Sequence, residues 1–149
     1  MSFNFESLTN TPIGLISSPH PGTQVPLEFE DYLTNNREAW DQDVDLEAHQ
    51  LIQPEPLLEI GICRIWQKIH RICVDLNRSR EKAVLNWKMN SQGVPLVKKR
   101  PDASFEENAR RSIFDPYFKK IEDLITPQFL IIDLHSMPSR PTEYHLALN

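Results

Sequence analysis

Residues 129–136 read Phe-Leu-Ile-Ile-Asp-Leu-His-Ser, and this stretch decides the fold that the sequence predicts. The four consecutive apolar residues at 129–132 are typical of a strand that is buried on both faces of a sheet. The run ends at Asp133, and His135 follows two residues later. Ligands of open α/β sheets bind beyond the carboxyl ends of the strands, so we expect this strand to deliver His135 to a functional site.

Two further segments end in polar residues in the same way. Residues 13–18 form a short apolar run that leads to His20, and residues 69–76 alternate β-branched and other residues before Asn77-Arg78. Residues 57–66 fit a strand or an irregular helix, and we favour the strand. Three strands are thus expected to bring polar groups to one edge of the sheet.

Helices are predicted between these strands. Residues 27–33 suit a short helix, and residues 44–52 place their apolar side chains on one helical face that ends at Pro54. Ser104 can cap a longer helix, which Pro116 should interrupt or kink. Alternating strands and helices predict an α/β fold, with a mainly parallel or mixed sheet and helices on both faces.

Length and composition limit the class of protein. The 149 residues, 40% of them hydrophobic, suffice for one compact core, so we expect a single domain over residues 1–149. The net charge of -5 provides no broad positive field that would attract nucleic acid. No apolar run reaches the roughly 20 residues of a membrane helix, and the N-terminus lacks a secretory pattern. We therefore expect a cytoplasmic protein with neither a nucleic acid nor a membrane as partner.

The two cysteines, Cys63 and Cys73, do not form a C-x-x-C pair. They are also too few for a disulfide scaffold. We expect both to be buried free thiols in a reducing compartment.

Histidines and aspartates offer the donors of a metal site. Zinc is bound by imidazole and carboxylate at about 2.0–2.2 Å, and a hydrolytic site keeps three protein ligands. His20 and His135 could supply two, and we take Asp43 as the third, with Asp41 or Asp45 as alternatives. Each group also has a structural explanation, because a histidine at a strand end can make an ordinary hydrogen bond and aspartates are favoured at a helix N-terminus.

Asn77 and Arg78 offer a site for a carboxylate. The guanidinium of Arg78 is a planar fork that can bind a carboxylate through two hydrogen bonds, and Asn77 adds a neutral donor. Alternatively, the pair forms a turn, with a surface ion pair between Arg78 and Asp75 or Glu81.

Four segments, taken in order, resemble the N-formylglutamate amidohydrolase family. They are Ser18-Pro19-His20-Pro21-Gly22-Thr23, Val74-Asp75-Leu76-Asn77-Arg78, Asp115-Pro116-Tyr117 and Asp133-Leu134-His135-Ser136-Met137-Pro138-Ser139. The aspartate-rich residues 40–51 also resemble an acidic stretch of that family. The family is similar in plan to zinc carboxypeptidases and aspartoacylases, so the resemblance implies their three-layer architecture.

The resemblance also implies a function. His20 and His135 become ligands of one Zn²⁺ per chain, and Arg78 with Asn77 becomes the clamp for a substrate carboxylate. The implied reaction is hydrolysis of the amide bond of N-formyl-L-glutamate or a related small acidic N-acyl amino acid. The alternative is a catalytically inactive or truncated member that keeps the fold and the carboxylate pocket.

Family members usually run longer than this chain, so we expect the fold to be incomplete at the C-terminus. In the carboxypeptidase plan the catalytic glutamate comes from that later region. Glu143 is the substitute that the remaining sequence offers.

Overall fold

The computed structural model describes residues 1–46, 48–50 and 53–136. Its sheet has four strands in the order β1-β3-β2-β4, namely β1 Phe3–Glu6, β2 Gly14–Ser18, β3 Ile62–Gln67 and β4 Leu130–Asp133. Strand β2 is parallel to both of its neighbours, whereas β1 is antiparallel to β3. The sheet is therefore mixed, as predicted.

Short helices connect the strands. The α-helices of the described residues are α1 Leu27–Glu30, α2 Arg37–Asp41, α3 Pro54–Glu59, α4 Ala103–Ala109 and α5 Asp115–Glu122. Two 3₁₀ segments occupy Ala48–Gln50 and Arg80–Lys82, and a π-helical segment, Arg110–Phe114, joins α4 to α5. Within the described ranges, no helix has the length and apolar character that crossing a bilayer requires.

Helical segments cover both faces of the sheet. On one face, Tyr117 of α5 packs edge-on against Phe3 of β1, with ring centroids 5.7 Å apart. On the other face, His49 stacks on Trp66 of β3 at 5.5 Å. Successive side chains of a strand point to opposite faces, and Phe3 pairs with Gln67, the neighbour of Trp66, so Phe3 and Trp66 lie on opposite faces of the sheet. The α/β fold with helices on both faces is confirmed.

Both cysteines are free and buried, as predicted. Burial raises the pKa of the Cys63 thiol and of the Cys73 thiol. A thiol whose pKa is raised stays protonated at neutral pH, so neither cysteine is a reactive nucleophile.

Strand β4 forms where the sequence predicts a strand, but its predicted burial is wrong. Leu130, Ile131 and Ile132 are 53%, 44% and 41% exposed. The reason is that β4 lies at the edge of the described sheet, beside β2, and no described strand covers its other side.

Residues 69–76 do not form the predicted strand. Their alternate apolar residues are buried, but Cys73 and Asp75 between them are buried as well, so the alternation does not reflect a strand with one polar face. The backbone N–H of Cys73 donates to the carbonyl of His70 at 2.9 Å, which is a turn. The Asn-Arg pair lies in a second turn, in which the Arg78 backbone N–H donates to the Asp75 carbonyl at 3.2 Å.

The helix predicted over residues 44–52 is also wrong, because the described part of that range contains only the 3₁₀ segment Ala48–Gln50. Pro54, expected to end the helix, instead lies in the first turn of α3. Proline suits that position because its missing N–H would have no partner there. The strand favoured over residues 57–66 begins only at Ile62.

The remaining helix predictions need smaller corrections. Helix α1 lies within residues 27–33, as predicted. The cap of α4 is Asp102 rather than Ser104, because Asp102 Oδ1 accepts the backbone N–H of Phe105 at 2.7 Å. The predicted interruption near Pro116 is present, since this proline lies in the first turn of α5, directly after the π-helical segment.

Candidate metal centre

The loops that follow β2 and β4 bring two histidines together. His20 and His135 each lie two residues beyond the end of their strand. Because β2 and β4 are parallel neighbours, their carboxyl ends meet at the same edge of the sheet. The two imidazole rings lie edge to face with centroids 4.9 Å apart. The structure thus places side by side the two histidines that the sequence singled out.

Asp45 joins the two histidines. One ligand atom from each of His20, Asp45 and His135 lies within 4.8 Å of the others. Asp45 Oδ2 is 3.4 Å from His20 Nδ1 and 3.3 Å from His135 Nδ1. The other carboxylate oxygen accepts a hydrogen bond from Ser136 Oγ at 2.9 Å. Both imidazoles therefore turn the same nitrogen towards one carboxylate.

The other two aspartates of the acidic stretch lie elsewhere. Asp43, which we took from the sequence as the third ligand, accepts the backbone N–H of Ser91 at 2.8 Å. Asp41 Oδ1 lies 3.3 Å from His70 Nε2. The structure places Asp45, not Asp43 or Asp41, with the two histidines.

A second aspartate holds each histidine through its other nitrogen. His20 Nε2 is 2.7 Å from Asp75 Oδ1, and His135 Nε2 is 3.0 Å from Asp133 Oδ2. A carboxylate at Nε2 keeps the ring proton there and leaves the lone pair of Nδ1 available to a cation. The sequence did not predict either aspartate as the partner of a histidine, although both stand in the quoted motifs.

Asp75 is fully buried and well supplied with donors. It accepts hydrogen bonds from Trp87 Nε1 at 2.6 Å, from the backbone N–H of Asn77 at 2.9 Å and from Arg71 at 3.3 Å. Burial alone would raise the pKa of Asp75, but the hydrogen bond with His20 and the charge of Arg71 outweigh it and hold that pKa well below its usual range.

The contact between His20 and Asp45 shifts the pKa values of both groups. Burial works against the charged form of His20, but contacts with the carboxylates of Asp45 and Asp75 outweigh it and raise the His20 pKa above 6.5. Burial likewise favours neutral Asp45, but its contacts with His20 and Ser136 outweigh it and lower the Asp45 pKa. These contacts therefore favour a positive charge on His20, between the ionised carboxylates of Asp45 and Asp75.

The donor set fits a divalent cation. His20 is 1% exposed, and its Nδ1 makes no hydrogen bond of ordinary geometry. A buried polar atom without a partner costs free energy, and a cation beside Nδ1 would remove that cost. Two imidazoles and one carboxylate are also a common ligand set for zinc.

Arg78 lies next to this group. Its Nε is 3.6 Å from Asp75 Oδ2, and its guanidinium is 5.6 Å from the centre of the Trp87 ring. The side chain is 42% exposed, so part of the guanidinium is open to a ligand. The ion pair with Asp75 that the sequence allowed is therefore present, and Asn77 contributes its backbone N–H to the same carboxylate.

The other histidines of the described residues are packing groups. His49 stacks on Trp66, and His70 is buried with its Nδ1 accepting the backbone N–H of Ile72 at 3.0 Å. Glu143 and His145 lie outside the described residues, so the predicted role of Glu143 stays a prediction.

The sequence profile of the family described as "N-formylglutamate amidohydrolase" matches residues 14–148. The chain belongs to the N-formylglutamate amidohydrolase family. No curated protein matches it.

Two solved structures share the fold. The crystal structure of N-formylglutamate amidohydrolase from Ralstonia eutropha has a TM-score of 0.77 and 17% identity, over 91% of this chain and 57% of that chain. A gene product from Agrobacterium tumefaciens has a TM-score of 0.72 and 14% identity, over 91% of this chain and 56% of its own. At such identities the likeness establishes the fold alone, and the chain spans little more than half the length of these relatives.

Proposed function

We propose that this family member is a zinc-dependent amidohydrolase of N-formyl-L-glutamate or a related small acidic N-acyl amino acid. The observation that carries the proposal is the convergence of His20, Asp45 and His135, with the same nitrogen of both imidazoles facing the carboxylate. Family membership supports amide hydrolysis as the reaction class.

The metal would be held by His20 and His135 through Nδ1 and by Asp45 through its carboxylate. A zinc ion held in this way would supply Lewis-acid chemistry, polarising a carbonyl oxygen and making water a better nucleophile near pH 7. Asp75 and Asp133 keep the ring protons on Nε2, so that both Nδ1 atoms present a lone pair.

Arg78 and Asn77 would bind the substrate carboxylate. The guanidinium lies over Trp87 and beside Asp75, and these two contacts favour one position for it before the substrate arrives. Because Asp75 also contacts His20, a carboxylate bound by Arg78 would lie beside the candidate metal centre. We propose Glu143, from the sequence alone, for proton transfer to the leaving nitrogen.

A carboxylate-binding protein without turnover is the second candidate. It is supported by the guanidinium of Arg78, which is partly exposed and can bind a carboxylate without any catalytic group. Such a protein would keep the metal centre and Arg78 but release no formate.

Metal content tests the centre of the proposal. We expect about one zinc per chain by mass spectrometry of protein purified without chelators, and loss of most of it in His135→Ala and Asp45→Asn. Asp43→Asn is the matched control, because asparagine can still accept the Ser91 N–H and the metal should stay. A folded wild-type protein without metal, or full occupancy in Asp45→Asn, would contradict the proposed site.

Substrate binding separates the two candidates. Arg78→Lys should weaken binding of N-formyl-L-glutamate roughly ten- to hundredfold at unchanged metal content, because lysine lacks the bidentate fork. Formate release by the wild type supports the enzyme, and binding with bound zinc but no release supports the second candidate. Equal loss of metal and folding in Arg78→Lys would instead assign Arg78 a structural role.

A further inference from the structure

We infer that a chain of hydrogen bonds from helix α5 positions His135, which makes Tyr117 and Ser17 positioning residues of the candidate metal centre. The inference rests on the proposed metal site. The Tyr117 hydroxyl lies 3.1 Å from Ser17 Oγ, and Ser17 Oγ is 2.8 Å from Asp133 Oδ1. The other oxygen of Asp133 lies 3.0 Å from His135 Nε2. Three consecutive contacts thus connect the helix to the imidazole.

The chemistry of the groups fixes the direction of each hydrogen bond. An ionised carboxylate only accepts, so the Ser17 hydroxyl donates to Asp133. The Ser17 oxygen can then accept from the Tyr117 hydroxyl, and the second Asp133 oxygen accepts from Nε2–H of His135. The chain of hydrogen bonds therefore places the His135 ring proton on Nε2 and leaves Nδ1 facing Asp45.

Tyr117 and Ser17, the first two residues of this chain of hydrogen bonds, are shielded from water. Tyr117 is 1% exposed and Ser17 is 6% exposed. Burial raises the pKa of the Tyr117 phenol, so the hydroxyl stays protonated and remains a donor. A buried hydrogen bond is also not exchanged for one with water, which keeps both side chains in a single orientation.

The two histidines differ in how their supporting carboxylates are held. Asp75, behind His20, is fully buried among several donors. Asp133, behind His135, has a side chain that is 50% exposed and lies on the edge strand β4. Its anchor on the buried side is Ser17, its direct partner across the sheet. We therefore expect the orientation of His135, more than that of His20, to depend on Ser17 and Tyr117.

Zinc affinity tests the chain of hydrogen bonds. We would measure it by competition with a chromophoric chelator for Asp133→Ala, Ser17→Ala and Tyr117→Phe. Asp133→Ala should bind zinc roughly 10- to 100-fold more weakly, and the other two roughly three- to tenfold, because they act one or two bonds further away. Tyr32→Phe is the matched control, since this tyrosine packs against Phe105 away from the chain and its affinity should not change.

A double-mutant cycle separates positioning from folding. If Tyr117 acts through Asp133, Tyr117→Phe should weaken zinc binding in the wild-type background and have no further effect in Asp133→Ala. An equal loss in both backgrounds would overturn the inference, and so would wild-type affinity in folded Asp133→Ala.

The metal-free protein provides an independent measurement. In ¹⁵N spectra of the histidine side chains, Tyr117→Phe and Asp133→Ala should shift the ring nitrogens of His135 towards a mixture of tautomers, while those of His20 stay unchanged. Unchanged His135 resonances in both variants would overturn the inference. A wild type that binds no zinc but shows these shifts would refute the proposed function and leave the hydrogen-bond chain supported.

Discussion

Replacement of Asp75 by asparagine tests the buried carboxylate behind the candidate metal centre. Asparagine has nearly the same size, but it offers one acceptor oxygen and one amide nitrogen in place of two acceptors. In the wild type every neighbour of the carboxylate is a donor, namely His20 Nε2, the Asn77 backbone N–H, Trp87 Nε1 and Arg71. An amide in this position must turn its NH₂ towards some of these donors.

The loss of stability expected in Asp75→Asn follows from the partners of the two Asp75 carboxylate oxygens. If the amide oxygen takes the place of Oδ1, the amide nitrogen meets the Trp87 N–H where a 2.6 Å hydrogen bond stood, and Arg71 loses its bond as well. Hydrogen bonds to charged groups contribute about 1.5–3 kcal/mol each, and loss of one partner of a buried ion pair costs about 3–5 kcal/mol. Arg71 keeps its hydrogen bond to the Asp43 carbonyl, so we expect a loss of about 3–5 kcal/mol in total.

Urea unfolding at pH 7 in the presence of a chelator measures this loss without a contribution from bound metal. Asp123→Asn is the control, because Asp123 is 55% exposed in a helical pair with Lys119 and should cost less than about 1 kcal/mol. The Asp75 pKa is lowered by folding, so its stabilisation is present above the ordinary pKa of 3.8 and is lost only as the pH falls below that value. A loss below about 1 kcal/mol at pH 7 would refute the reasoning.

Two further predictions concern other parts of the chain. Burial is the largest effect on the pKa of His70 and lowers it from 6.5 to about 4. The nearby Asp41 opposes this shift only in part, because its side chain is 43% exposed. The unfolded chain therefore binds the proton first, and acidification from pH 6.5 to 4 should cost up to roughly 3 kcal/mol of stability. His70→Asn can still accept the Ile72 N–H, and its free energy of unfolding in urea should no longer fall between pH 6.5 and 4 because of this group. An equal pH dependence of stability in the wild type and in His70→Asn would contradict the assignment of this effect to His70. Ile131→Lys on the exposed strand β4 should reduce self-association, measured by light scattering, and should change the free energy of unfolding by less than about 0.5 kcal/mol. The buried control Ile65→Ala in β3 should lower the free energy of unfolding by about 2–5 kcal/mol. Unchanged light scattering of Ile131→Lys would show that β4 does not associate.

The sequence predicted those parts of the fold that depend on short, uninterrupted patterns. The apolar runs at residues 13–18 and 129–132 became β2 and β4, and the histidines that follow them lie together because the two strands are parallel neighbours. Periodicity identifies such a strand without reference to the rest of the chain. It does not reveal which strand lies at an edge, and the exposure of β4 was therefore missed.

The failures lie where burial comes from tertiary contacts instead of from a strand or helix. Residues 69–76 alternate in apolar character, yet Asp75 among them is buried because it is bonded to His20 and Trp87. An acidic residue inside an otherwise apolar run was the available signal for such a role. Asp133, two residues before His135, offered a similar signal.

The choice among the three aspartates could not be made from their spacing. A helix over residues 44–52 would have placed Asp41, Asp43 and Asp45 around its start with nothing to choose between them. The chain instead forms a loop in which the Asp45 backbone N–H donates to the His20 carbonyl at 3.2 Å. That long-range hydrogen bond selects Asp45, and no local pattern encodes it.

The distribution of charge gives an independent reason to place a cation between the two histidines. Asp75 has Arg71 and Arg78 within ion-pair distance. Among the described residues, the ion-pair partners of Asp45 are His20 and His135 alone, and the charge of Arg71 lowers its pKa from beyond ion-pair distance. A carboxylate that is 5% exposed needs a positive partner to stay ionised. In the metal-free protein protonated His20, whose pKa is raised, can be that partner, and a bound cation would take the place of its proton. Asp45→Asn is therefore the substitution that should separate metal binding from folding.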